Sequence, residues 1–394
     1  MSRPAGEVRA FHARATDDDL DDLRARLAAA RLPEPETVRG APPGAGRWAQ
    51  GVPLDDLVDL VKYWRTGYDW RSFEARLDEI GQFRTTVEGL GIHFLHRRSP
   101  RADATPLVLT HGWPGSVAEF VDVVDELAEP GDPDAPAFHV VVPSLPGFGH
   151  SDKPATTGWG IERVADAWVE LMGRLGYDEF LAHGGDWGGP ITTILGGRHP
   201  EHVLGIHTTT AQAPPGLPTD GLTATERAWV AETRDFWDGP RGAFSKQQAT
   251  RPQTVGYFLV DSPVGLLAWI LDKFAEWTDT RDSPFETVSR DRFLDNVTLY
   301  WLTRSGASSA RIYAESHLSL DPELRVDVPS AVVVYPHDIE KCPRPWAQVR
   351  YRRLVRWRAA ETGGHFPSLE VPDDFVEDLR SGLAAVLDAR DRGS

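Results

Sequence analysis

Cysteine is nearly absent from this sequence: Cys342 is the only one in 394 residues. That excludes an internal disulfide and a set of thiolates for structural zinc. Positive charge is also short, with 42 Lys and Arg against 59 Asp and Glu and a formal net charge of −17. A nucleic-acid backbone or an anionic membrane would be repelled by most of such a surface, which points to small-molecule chemistry. No run of about 18 apolar residues occurs, and the opening MSRPAGEVRAFHARATDDDL lacks the apolar centre of a signal peptide. The expectation is a soluble cytoplasmic protein that binds neither nucleic acid nor membrane. What is present is ample apolar material, 41% of residues, enough for a large core and two or three structural units.

Up to about residue 100 the chain reads as helical. Thr16 and Asp19 form a capping box ahead of Leu20, Leu23 and Leu27, and Pro33 closes the segment. A second helical stripe takes Leu54, Leu57, Val58, Val61 and Trp64. Proline and glycine then make a loop from Pro33 to Gly46. From Pro106 the texture changes to short apolar runs ending in glycine or proline turns, as in PLVLTHGWPG, FHVVVPSLPGFG and EFLAHGGDWGG, with helical patterns between them. Buried strands alternating with helices predict a mostly parallel sheet covered on both faces. The rhythm breaks from about 211 to 328, which reads as a helical insertion, and SAVVVYPHD restores it.

The turn in GGDWG lacks a serine where one would complete a nucleophile elbow, and Asp186 stands there between Gly184 and Gly188. Small flanking residues suit a tight strand-to-helix turn. A glycine turn with an aspartate capping a helix is the plain alternative. An aspartate is ionised near neutral pH and, unlike serine, needs no base to attack carbon; the product would be an alkyl ester on the enzyme. In HGWPGS, the N–H of Trp113 together with that of Trp187 would make an oxyanion hole, while His111 reads as structural. GGHF supplies His365 as a base. Asp338 and Glu340 follow the preceding strand, and Asp338, nearer its end, is chosen to orient His365, with Glu340 in reserve. The order nucleophile, acid, base is that of α/β-hydrolases.

Taken together, YDWRSFEARLDEIGQFRTTVEGLGIHFLHRRSP, HGWPGS, GGDWGG, DSPVGLLAWILDKF, NVTLYWLTRSGASSARIY and GGHFPSLEVP resemble the microsomal-type epoxide hydrolases over nearly the whole length. The resemblance implies an α/β-hydrolase core with a helical cap and an N-terminal helical extension. Boundaries of 1–104 for the N-terminal domain, 105–210 and 329–394 for the core, and 211–328 for the cap follow from it. It also implies a cofactor-independent, metal-free reaction in which the elbow aspartate opens an epoxide while cap tyrosines hydrogen-bond its oxygen. Asp338 of YPHD matches the family's acid. Of the two cap tyrosines the chain keeps one, Tyr313; Phe244 falls at the first position, with Tyr257 and Trp237 nearby as substitutes. The membrane-anchoring helix of animal members has no counterpart, so the likeness is to soluble bacterial members.

The implied substrate is an apolar or aromatic epoxide and the product a vicinal diol, in detoxification or in natural-product biosynthesis such as that of enediyne antibiotics. A haloalkane dehalogenase, which shares the elbow aspartate followed by tryptophan, is the nearest rival; a catalytically silent binding protein on the same fold is the other. A homodimer is left open.

Overall fold

The computed structural model describes residues 6–38, 46–316 and 320–392. Of the loop expected from Pro33 to Gly46, residues 39–45 lie outside the described residues. Its centre is one nine-stranded sheet: β1 (Arg9–Ala10), β2 (Gln82–Val87), β3 (Leu90–Arg97), β4 (Thr105–Thr110), β5 (Phe138–Pro143), β6 (Phe180–Gly184), β7 (Val203–Thr208), β8 (Ser330–Val334) and β9 (Leu354–Ala359). They lie in the order β1-β2-β3-β5-β4-β6-β7-β8-β9. From β5 to β9 every neighbouring pair is parallel. The parallel strands are continuous apolar runs because helices cover both faces; Leu107, Val108, Leu109, Val140 and Val141 are all fully buried.

The segment before residue 105 is not wholly helical, as the sequence led us to expect. Helices Asp17–Ala28, Leu54–Thr66 and Trp70–Ile80 are joined by β1, β2 and β3, which extend the sheet antiparallel at its edge. Glu88 and Gly89, both at positive φ (48° and 81°), turn β2 into β3. Such a turn requires two residues in the left-handed region, and Glu is a poor signal for it. The capping box of Thr16 and Asp19 forms as read, with Leu20, Leu23 and Leu27 buried behind it. In the second helix Leu57, Leu60, Val61 and Trp64 are buried, whereas Val58 is 41% exposed. Spacing of three, four and seven residues from Leu57 defines the buried stripe, and Val58 sits about 100° round the helix from Leu57.

Six cap helices fall between β7 and β8: Ala224–Asp238, Ala243–Thr250, Pro252–Asp261, Pro263–Trp277, Arg290–Leu302 and Gly306–Glu315. Helix Arg290–Leu302 acts as a strut. On one side it accepts bonds from the N-terminal segment: Tyr63 to Asp291 (2.7 Å), Tyr68 to Asp295 (2.6 Å) and the Trp64 indole N–H to Thr298 (2.9 Å). On the other it holds the loop after β4. Asn296 donates to Pro114 O (2.7 Å), Ser116 donates to Asn296 Oδ1 (2.6 Å), and the Tyr300 hydroxyl donates to Gly115 O (2.8 Å). Positions 291, 295 and 298 share one helix face and 296 and 300 another, so one helix ties the N-terminal segment to a loop of the core. Among the described residues no single helix is long and apolar enough to cross a membrane.

Candidate active site

Four loops at the carboxyl ends of β4, β6, β8 and β9 converge where the strand order reverses about β4, the usual place for a site in an open α/β sheet. The sharpest follows β6. Asp186 sits there at φ 48°, left-handed backbone that costs a non-glycine residue strain. Its N–H donates to Thr210 Oγ1 at 2.8 Å, which holds the turn. A Cβ on Gly184 would come 2.1 Å from Gly188 O, and one on Gly188 would come 2.0 Å from Thr110 O. Nothing but glycine fits either place. The helix Gly188–Arg198 starts beyond, so the Asp186 carboxylate lies at its positive end.

The loop after β4 closes on that carboxylate. Trp113, joined to Pro114 by a cis peptide bond, donates its N–H to Asp186 Oδ1 at 2.7 Å. A Cβ on Gly112 would approach the same oxygen to 2.1 Å, so this glycine is what lets the backbone reach it. Trp187, whose N–H is the other expected donor, caps the elbow helix. His111 is held through both ring nitrogens: Nδ1 bonds Gly112 O at 2.9 Å, Nε2 accepts from the Leu145 N–H at 3.2 Å, and burial pulls its pKa down to about 4.

His365 lies after β9 with its Nε2 3.2 Å from Asp186 Oδ2 and its Nδ1 2.7 Å from Asp338 Oδ1. The His365 and Asp338 side chains are each only 2% exposed, against 19% for Asp186. Burial disfavours the imidazolium, but the Asp338 charge and the bonds to Asp186 and Asp338 outweigh it and raise the His365 pKa well above its ordinary value. Glu340 does not take the place of Asp338; it faces the cavity beside Asp186.

Across the cavity, Tyr313 presents its ring edge-on to Trp187 (centroids 4.9 Å) and Trp113 (5.6 Å). Burial first, and then the Asp186 charge, push its phenol well above the ordinary value, so it keeps its proton at neutral pH. Phe244 stacks on Trp113 at 5.4 Å and lies 5.9 Å from the Tyr313 ring, so it stands beside Tyr313 without a hydroxyl. Trp237 lines the same cavity, of about 360 Å³, with Asp186, Trp187, Tyr313 and His365. Tyr257 is not brought there. It is 70% exposed on the outer face of helix Pro252–Asp261, in a groove with Asp19, Arg26 and Asp261, because the apolar side of that helix, Val255 and Leu259, turns inward.

Two carboxyls escaped the sequence reading. Glu119 lies beside a chamber of about 10 Å³, room for one water, bounded by Gly112, Trp113, Asp186 and His365. Burial pushes its pKa up to about 8. Its carboxyl fills the space that Gly115 leaves empty, where a Cβ would stand 1.5 Å from Glu119 Oε1. Glu370 clasps the His365 loop to the cap by accepting from the N–H of Phe366 (2.8 Å) and of Asp279 (2.6 Å). Beneath the elbow, His183 and His207 meet at 2.9 Å, and His207 meets Asp378 at 3.1 Å. Among the described residues no cluster of His, Cys, Asp and Glu could hold a metal ion.

Residues 8–120 match the family described as the epoxide hydrolase N terminus, and residues 105–253 match the alpha/beta hydrolase fold. A Stigmatella aurantiaca protein provisionally named as an epoxide hydrolase is 47% identical over 92% of this chain and 81% of its own length. Epoxide hydrolase 1 of Sus scrofa is 32% identical over 96% of this chain and 90% of its own. The crystal structure of juvenile hormone epoxide hydrolase from the silkworm Bombyx mori superposes with a TM-score of 0.88 at 29% identity, covering 99% of this chain and 96% of that one. An aspartate held in the elbow, a histidine and second aspartate behind it, and this kinship from end to end lead to one conclusion: the chain belongs to the epoxide hydrolase family, on an α/β-hydrolase fold.

Proposed function

We propose that this protein converts an apolar or aromatic epoxide to a vicinal diol through an ester on Asp186. The observation that carries the reading is the unbroken contact from Asp338 through His365 to Asp186, with the Tyr313 phenol across the cavity. With Oδ1 held by the Trp113 N–H, the other carboxylate oxygen attacks an epoxide carbon. The C–O bond breaks, and its oxygen takes the proton of Tyr313. Alkylation removes the Asp186 charge, and with it two of the influences that keep His365 protonated. His365 thereby gives up its proton to solvent and becomes a base when a base is needed.

Water in the chamber beside Glu119 then gives a proton to His365 Nε2 and attacks the carboxyl carbon of Asp186. The oxyanion is met by the N–H groups of Trp113 and Trp187. Collapse expels the diol oxygen, which takes the proton from His365. The proton left on the regenerated carboxyl returns to the Tyr313 phenolate, and His365, facing a charged Asp186 again, takes back its proton from solvent, so the cycle closes with no net proton change. Trp187, Trp237 and Tyr313 give the cavity an aromatic wall suited to a flat apolar group. Detoxification and the biosynthesis of natural products are both places for such an activity.

The test is direct. Styrene oxide incubated with the enzyme should yield the diol, and Asp186→Asn, which tolerates the left-handed backbone, should lose at least about 10⁴-fold in rate. Absence of diol, with halide released from a haloalkane instead, would overturn the reading in favour of a dehalogenase.

A further inference from the structure

The cavity over Asp186 has a lining of two unlike kinds. Besides its aromatic residues it is lined by Gln212, Ser245 and Glu340. Two of these are fixed from behind. Gln212 donates its backbone N–H to the Tyr351 hydroxyl (3.3 Å), and its carbonyl accepts from Arg350 Nε (2.7 Å), itself a buried side chain. Glu340 follows Asp338, which is tied to His365. Its next neighbour, Lys341, is pinned to the cap through Thr233 Oγ1 (3.1 Å) and Glu232 (2.5 Å). These bonds hold the backbone of both residues where core and cap join. Ser245 is 1% exposed, and its hydroxyl has no hydrogen-bond partner.

A cavity meant only for hydrocarbon would hold no carboxyl there. Burial, with the charges of Asp338 and Asp186 adding to it, raises Glu340 to about 7; the His365 charge and a bond from Gln212 only partly offset this. The buried Ser245 hydroxyl, left without a partner among the described residues, is costly unless a ligand completes it.

We propose that Gln212, Ser245 and Glu340 form a subsite that recognises a hydroxyl carried by the epoxide substrate at a distance from the ring that is opened. The proposal rests on the epoxide-hydrolase reading and narrows its substrate class to hydroxylated epoxides. A hydroxyl both donates and accepts, so it pairs with the carboxyl in either protonation state and with the Gln212 amide. Sites built to bond a substrate hydroxyl discriminate strongly against analogues that lack it, because their own polar groups are then left unpaired.

The experiment compares kcat/KM for styrene oxide and for styrene oxide bearing a meta hydroxymethyl group. The parent enzyme should prefer the hydroxylated compound by about tenfold or more. Glu340→Leu should bring the ratio close to one, and Glu340→Gln, which keeps hydrogen bonding, should retain most of it. Each variant's rate on styrene oxide is its own reference for folding. Hydrolysis of both compounds at equal efficiency by the parent, or a preference that survives Glu340→Leu, would overturn the subsite while leaving the functional reading intact. Hydrolysis of neither would overturn both.

Discussion

Replacing His365 with alanine should leave an enzyme that reacts once with an epoxide and then stops. The proposed alkylation asks nothing of the imidazole: its nucleophile would be the Asp186 carboxylate at a helix N-terminus, and the proton for the epoxide oxygen would come from Tyr313. Ester hydrolysis would depend on it, since among the described residues His365 is the imidazole that touches Asp186. His365 Nε2 is 3.2 Å from Asp186 Oδ2, and Glu119, across the small chamber, is held largely protonated by burial at neutral pH. Intact-mass measurement should therefore show the His365→Ala protein heavier by one epoxide, with steady-state turnover lowered by about 10⁴-fold or more. A variant that turns over normally would place the base elsewhere.

The second large effect is expected at Tyr313. General-acid assistance is worth about 10² to 10⁴ in rate, and an enzyme with one phenol instead of two has nothing to share the developing alkoxide. Phe244 stands beside Tyr313 without a hydroxyl, and Tyr257 lies on the outer surface. Tyr313→Phe should thus slow alkylation toward the upper end of that range. The double variant Phe244→Tyr with Tyr313→Phe should recover part of the loss. Tryptophan fluorescence in pre-steady-state mixing can follow the step, because Trp113 and Trp187 both contact the Tyr313 ring. A Tyr313→Phe enzyme within about threefold of the parent would mean that this hydrogen bond is worth under about 0.7 kcal/mol and that another donor activates the epoxide.

How far these residues can be read from sequence depends on how local their constraints are. Asp186 is legible because the elbow imposes glycine two places to either side, and the contacts at Gly184 and Gly188 show why no other residue fits. Asp338 and His365 are legible because each follows a buried strand in a fixed chain order. Glu119 is not, since its closeness to His365 arises from the folding of a loop; the only local sign is Gly115, which makes room for it. Glu370 likewise joins segments some 90 residues apart, 370 to 279. The antiparallel strands β2 and β3 were hidden by a turn that places Glu88 in the left-handed region. Tyr257 was a candidate by sequence proximity alone, and the orientation of one helix settles its exposure.

The central claim is that the oxygen added to the substrate comes from the enzyme and not directly from water. A single turnover in heavy-oxygen water, with enzyme in excess over epoxide, distinguishes the two. Attack by Asp186 gives a first-turnover diol carrying ordinary oxygen at the new hydroxyl, while the heavy isotope enters the Asp186 carboxylate and is recovered in the elbow peptide. Heavy oxygen in the first-turnover diol, with none in that peptide, would contradict the ester mechanism and reduce Asp186 to a base for direct attack by water.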